Sequence, residues 1–284
     1  MLKQRVITAF ILAVIFLLSL FSLPAGYFSF FIGAVLLIGA WERAIMSGYG
    51  KLWQRLVYCL VLLVLLVAAS SYFGFAGEAR PALDKGSIRD LLLLGCGWWA
   101  VALLLVQGYP SSAILWGNSW VRLLIGIAVL LPAWVALVYL RQQTFGAWLV
   151  LLLILVVALA DSGGYFVGRR FGKHKLAPAV SPGKTWEGFV GGLVANLILA
   201  VLLSVLLDID WLLVLAVILP TSLVSVLGDL LESMVKRHAG VKDSGTILPG
   251  HGGILDRIDG ITAGAPVFAL AFLATDVLGK GVVG

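Results

Sequence analysis

Residues 151–168 read LLLILVVALADSGGYFVG, an unbroken apolar run that meets an aspartate and two glycines. Runs of this kind recur along the chain. Of 284 residues, 61% are hydrophobic and 12% are charged, about half the charged share usual in a soluble domain, and the mean hydropathy is +1.08. Water is not the main solvent of such a sequence. A bilayer core about 30 Å thick needs roughly 20 apolar residues per helical span. Nine candidate spans lie near 6–23, 27–45, 55–75, 91–107, 120–140, 146–167, 188–207, 211–233 and 261–278. The sequence therefore predicts an all-α integral membrane protein, a polytopic bundle of about nine transmembrane helices. No window alternates as a barrel strand does, and no soluble domain of any size is left over.

The opening MLKQRVITAFILAVIFLLSLFSLPAG sets basic residues ahead of an apolar run, as a cleaved secretory signal does, but eight further spans favour an uncleaved first helix. Cys59 and Cys96 fall at or within apolar spans and make neither a disulfide framework nor a metal knuckle, so they read as small apolar residues. With a cytoplasmic N-terminus and alternating helices, 15 of the 20 Lys and Arg residues fall on the cytoplasmic side and 5 outside, Arg80, Lys85, Arg89, Arg141 and Lys280. That split obeys the positive-inside bias. It also accounts for the net charge of +6, so no nucleic-acid partner is called for.

Polar residues are unevenly spread. Spans one to five, within 1–145, hold few of them. The second part, 146–284, carries three segments that mix acids, bases, glycines and prolines at membrane depth: ALADSGGYFVGRRFGKHKLAPAVSPGKTWEGFVGG (158–192), LGDLLESMVKRHAG (227–240) and KDSGTILPGHGGILDRIDG (242–260). The chain is accordingly divided into an N-terminal set of helices and a catalytic part with a cytoplasmic polar cavity. An ionisable residue inside an apolar span is expensive and marks a working site more often than a structural pair. Asp161 and Asp229 qualify, while Glu232 is open between the two readings. On a helix Asp229, Ser233 and Lys236 share a face, with Glu232 close to Lys236.

Asp229, Asp243, Asp256 and Asp259, with Asp161 as a further carboxylate, are hard oxygen ligands of the kind that suit Mg²⁺, which takes a few carboxylates plus waters and substrate phosphates. Zinc is unsuited, since His174, His238 and His251 are the only histidines and no cysteine lies beside them. Lys236, Arg237, Lys242 and Arg257 surround the acids, and Gly245, Gly250, Gly252, Gly253 and Gly260 let backbone N–H groups approach an anion. Acids for a cation, bases for phosphate and glycines to admit it describe a phosphoryl- or nucleotidyl-transfer site. A loop attracted to anionic headgroups would explain the bases and leave the acids unexplained.

Gly183-Lys184-Thr185 imitates the end of a P-loop, but the required earlier glycine is Pro178. Ser181, Lys184 and Thr185 instead lie just before a span, where a helix N-terminus offers free N–H groups to a phosphate. Glu187 is placed to cap that terminus. Tyr165 follows Asp161 by four residues and shares its face as a pocket residue. Gly188 and Gly192, at GxxxG spacing, predict close helix packing.

The run from Ser233 to Asp259, SMVKRHAGVKDSGTILPGHGGILDRID, resembles the signature of the phosphatidate cytidylyltransferase family, also called CDP-diacylglycerol synthases. The upstream DSGGYxxGRxxG and SPxKTxEG are similar to the family as well, so the specific match covers roughly 158–260. The resemblance implies that CTP and phosphatidic acid give CDP-diacylglycerol and pyrophosphate at the cytoplasmic face of the membrane; compact size and the absence of long soluble extensions point to a bacterial inner membrane. It implies a homodimer that requires Mg²⁺ and holds a paired-cation centre on aspartates, Asp229 and Asp256 leading, Asp243 and Asp259 next. The second cation's identity stays open. Lys242 and Arg257 would contact phosphates; Ser181, Lys184 and Thr185, with Lys236, Arg237, Asp161 and Tyr165, would bind the nucleotide. His251 is open between a general base, a hydrogen-bonding prop and a phosphate donor.

An ion-coupled transporter is the main alternative, because broken helices with acids at membrane depth describe carriers too. The chain shows no internal repeat, and its polar residues gather at one set of helix ends. A CDP-alcohol phosphotransferase is disfavoured because Asp259-Gly260 is followed by Ile-Thr-Ala-Gly in place of the Ala-Arg its pattern needs.

Overall fold

The computed structural model describes residues 2–75 and 85–275. Arg80, Lys280 and residues 276–278 of the ninth expected span lie outside them, as do the side chains of Lys3 and Arg5. Each of the nine spans coincides, to within a few residues, with one long helix: α1 Leu2–Ser22, α2 Ala25–Met46, α3 Leu52–Tyr72, α4 Lys85–Gln107, α6 Ser119–Gln142, α7 Gly146–Phe171, α8 Trp186–Leu207, α9 Trp211–His238 and α10 Leu255–Thr275. A single turn, α5 Ala113–Trp116, precedes α6. Eight of these helices are long and apolar enough to cross a membrane, and the apolar part of α1, Val6–Ser22, is shorter.

Side-chain caps start three of the helices. Asn118 accepts from Trp120 N at 3.1 Å, Thr185 from Gly188 N at 3.2 Å and Asp210 from Leu212 N at 2.8 Å, each satisfying an amide that the helix itself leaves free. The bundle centres on α6, whose Val135, Ala136, Val138 and Leu140 are wholly buried. Helices α2 and α10 pack on α6, α10 also lies along α9 and α4, and α7 lies along α8. The outward faces of α1, α3 and α8 present Phe10, Leu18, Val64, Val205 and Leu206, the apolar surface a bilayer covers. Cys59 and Cys96 are both free and half-buried.

The seam between α7 and α8 is made of backbone. Gly163, Gly164 and Gly168 face Gly188, Gly191 and Gly192, and a Cβ on Gly188 would stand 2.6 Å from the Gly164 carbonyl oxygen. The GxxxG spacing was a sound signal of close packing. A small hairpin between these helices is not foreshadowed by any pattern in the chain: β1 Lys175–Ala177 pairs antiparallel with β2 Ser181–Thr185, Lys175 opposite Thr185 and Ala177 opposite Ser181.

Candidate active site

Three elements converge at one end of the bundle: the β2 strand running into α8, the C-terminal end of α9, and the loop that leads from α9 into α10. On α9, Asp229 accepts from Ser233 Oγ at 3.1 Å and forms an ion pair with Lys184 of β2 at 2.6 Å. The shared face of Asp229 and Ser233 is as the spacing predicts. Lys236, one turn further, reaches across to α10, where its ammonium lies 2.6 Å from Asp256 Oδ1. Glu232 stays within electrostatic reach of Lys236, yet its ion pair is with Arg43 of α2, both side chains almost fully buried.

Asp256 has a second set of partners. Its Oδ2 accepts from Ser244 N and Gly253 N, both at 2.9 Å, so the carboxylate closes the loop upon itself. Gly252 adopts φ +82°, and a Cβ there would also stand 2.7 Å from Asp256 Oδ2. Only glycine suits that position.

Two cavities hold most of the expected site residues. One, about 450 Å³, is lined by Asp161, Tyr165, Ser181, Lys184, Thr185 and Asp229 together with Gly164, Gly168, Gly188 and Phe189. The other, about 570 Å³, lies in the loop and is lined by Lys242, Asp243, His251, Gly252 and Arg257. Asp161 in the first is within electrostatic reach of Arg257 in the second. Asp256 and Lys236 pair beside the loop cavity, and Asp259 of α10 is close enough to Asp229 and Lys236 for their charges to interact.

Several residues do more structural work than their sequence suggests. Thr185 lines the first cavity but its hydroxyl caps α8. Arg237 donates to the carbonyls of Val180 and Val241, tying hairpin to loop. Asp259 Oδ1 accepts from Gly260 N at 2.7 Å. Tyr165 accepts at its hydroxyl from Arg169 at 2.9 Å. Glu187, expected to cap its own helix, also takes the amides of Lys173 and His174 and the His174 ring, which fastens the end of α7 to the start of α8. His251 holds Arg257 through its carbonyl, and its Nδ1 is buried with no hydrogen-bond partner among the described residues.

Among the described residues no three His, Cys, Asp or Glu side chains converge as a ready metal cage. Two of the acids are instead paired with an ammonium group, Asp229 with Lys184 and Asp256 with Lys236. These are carboxylate oxygens already accommodating a positive charge, and a donor set of that chemistry fits a hard cation that draws its other ligands from water and substrate phosphate.

The sequence reading missed Glu42 and Arg43. It took the first five spans as poor in polar groups, yet both side chains are buried in α2, and both reach the site elements, Arg43 through Glu232 and Glu42 through Ser244, Ile254 and Leu255. The signal was present: WER at 41–43 interrupts an apolar span just as Asp161 does.

Comparison with known proteins bears on this arrangement. The model of a family described as "Cytidylyltransferase family" matches residues 3–275. The phosphatidate cytidylyltransferase of Pseudomonas aeruginosa is 48% identical over 272 residues, 95% of this chain and 96% of that protein. The enzyme of the same name from Haemophilus influenzae is 41% identical over 289 residues, 95% of this chain and 98% of that protein. In Staphylococcus haemolyticus the likeness is confined to 117 residues, 40% of this chain, at 52% identity. The transporter alternative finds no support in these relatives.

Proposed function

The chain belongs to the cytidylyltransferase family, and from that premise we propose that it catalyses the reaction its relatives are named for. A phosphate oxygen of phosphatidate attacks the α-phosphorus of CTP, the new P–O–P link of CDP-diacylglycerol forms, and the bond to the β-phosphate breaks with its electrons leaving on pyrophosphate. The nucleophile is a phosphate monoester, already anionic near neutral pH, so no strong general base is required. The barrier is the meeting of two polyanions and the departure of a third.

The observation that carries this reading is the pair of polar cavities, Lys184 paired with Asp229 in the first and Lys242, Asp243 and Arg257 lining the second, with the Lys236–Asp256 ion pair beside the second. Lys184, Ser181 and Thr185 bind nucleotide phosphates in the first, at the positive end of the α8 dipole. Lys242 and Arg257 hold phosphate in the second. Lys236 and Arg237 keep Asp256 and the loop in place, and Asp161 and Tyr165 line the wall. Asp229 and Asp256 are the leading ligands for Mg²⁺, Asp243 and Asp259 the next, and a second cation would share them. Bound there, Mg²⁺ would neutralise phosphate charge and polarise the P–O bonds.

The resemblance and the positive-inside bias together support a homodimer in a bacterial cytoplasmic membrane with both cavities open to the cytoplasm. The test is transfer of label from α-³²P-CTP into chloroform-extractable lipid by the detergent-purified protein, with and without phosphatidate and Mg²⁺. Label that needs all components supports the reading. No incorporation by a folded preparation overturns it.

A further inference from the structure

We infer that Glu42 of α2 is a positioning residue for this reaction, holding the chain at 244 and at 253–255 so that Asp256 and the basic side chains of the loop face the substrates. The inference rests on the proposed active site and deepens it. Glu42 is 0% exposed, and its carboxylate is met by neutral donors from the loop and the start of α10. Oε2 accepts from Ser244 Oγ at 3.0 Å and Leu255 N at 2.9 Å, and Oε1 accepts from Ile254 N at 3.0 Å.

Ile254 and Leu255 stand at the N-terminus of α10, where amides have no partner within the helix and the helix dipole favours an anion. The acid in that first turn, Asp256, points back to Ser244 N and Gly253 N. Ser244 is therefore gripped on both sides, its N–H by Asp256 and its hydroxyl by Glu42. The glycines expected to open the loop to a ligand anion open it to this carboxylate: a Cβ on Gly245 or on Gly253 would fall 2.5 Å from Glu42 Oε1.

Burying a carboxylate is costly, and an apolar residue could fill the same volume without that cost. What the carboxylate adds is direction. It fixes three donors at once, and with them the orientation of Asp256, which the next residue in the chain carries.

The experiment compares the parent with Glu42→Gln, Ser244→Ala, their combination and Asp256→Asn in detergent, measuring folding, kcat and KM. A Gln side chain presents an N–H₂ group where two N–H donors and a hydroxyl now converge. Glu42→Gln is expected to elute like the parent, to melt a few degrees lower because a buried donor loses its acceptor, and to keep both KM values within about threefold. It should lose about 100-fold in kcat, the scale of a small misplacement of catalytic groups. Amide hydrogen exchange should quicken at 244 and 253–255 and stay unchanged in α6. Adding Ser244→Ala should cost nothing further, since both changes remove one restraint, whereas independent damage would add. Unchanged kcat in folded Glu42→Gln, or a strictly additive double variant, overturns the inference. If Glu42→Gln does not fold, Ser244→Ala alone decides: a fall in kcat at constant KM supports positioning, and an unaltered kcat refutes it. Full activity in Asp256→Asn would sink the active-site reading itself, while an inactive Asp256→Asn beside a fully active Glu42→Gln sinks only this inference.

Discussion

Lys236 on α9 sets its ammonium 2.6 Å from Asp256 Oδ1 on α10, across the contact between the two helices that carry Asp229, Asp256 and Asp259. A lysine read from sequence as a phosphate binder thus meets a charge of the protein's own. Replacing it by Met leaves Asp256 buried without its counter-ion, and breaking such a pair typically costs about 3–5 kcal/mol. Lys236→Met should therefore lower the thermal midpoint in detergent by several degrees. An unshifted midpoint would mean that the pair contributes nothing to holding α9 on α10.

Lys184 is the more accessible of the two paired lysines and lines a cavity. Lys184→Ala removes a charge-assisted contact worth about 1.5–3 kcal/mol, which corresponds to roughly a 10- to 100-fold fall in kcat/KM for CTP. The loss should appear mainly in the KM for CTP, with the KM for phosphatidate unchanged. Equal changes in both KM values would contradict the assignment of this cavity to the nucleotide.

Arg43 and Glu232 form an ion pair far from solvent, joining α2 to α9. Arg43→Leu alone should destabilise by about 3–5 kcal/mol because Glu232 is left charged and buried, whereas Arg43→Leu with Glu232→Leu should recover much of that loss. Thermal unfolding of the single and double variants checks this, and a double variant no better than the single one would refute it.

The backbone seam between α7 and α8 allows a contrast among glycines. A Cβ on Gly192 would stand 2.5 Å from the Ala160 carbonyl oxygen, while one on Gly183 would meet nothing within 4 Å. Gly192→Leu should separate the helices and abolish both stable expression and activity. Gly183→Ala should leave expression and melting unchanged, and a loss of folding there would show that the hairpin is packed more tightly than its geometry indicates.

How much of this was legible in the sequence depends on the range over which the signal acts. Apolar runs of about 20 residues located the nine helices, because in a bilayer the backbone must satisfy itself and a helix does so locally. Asp229 and Asp161 were found because an acid within such a run stands out. Two things escaped. The β1–β2 hairpin is three residues against five, too short for any period to show, and its second strand contains Pro182. Glu42 was passed over because it lies among helices that otherwise look like plain scaffold, and its partners Ser244, Ile254 and Leu255 are two hundred residues away in the chain, where only folding reveals them. Lys236 shows the same limit in the other direction. Its helix face was readable, but whether it met substrate or Asp256 was a property of α10.

The hydrogen bond from Ile254 N to Glu42 spans 212 residues, and that separation imposes an order on biosynthesis. A chain made from its N-terminus places Glu42 in the membrane long before any of its three donors exists. The carboxylate waits, and the loop acquires its working shape only when α10 is inserted. A chain stalled before α10 holds a scaffold of helices but no assembled site, so activity waits on that one helix.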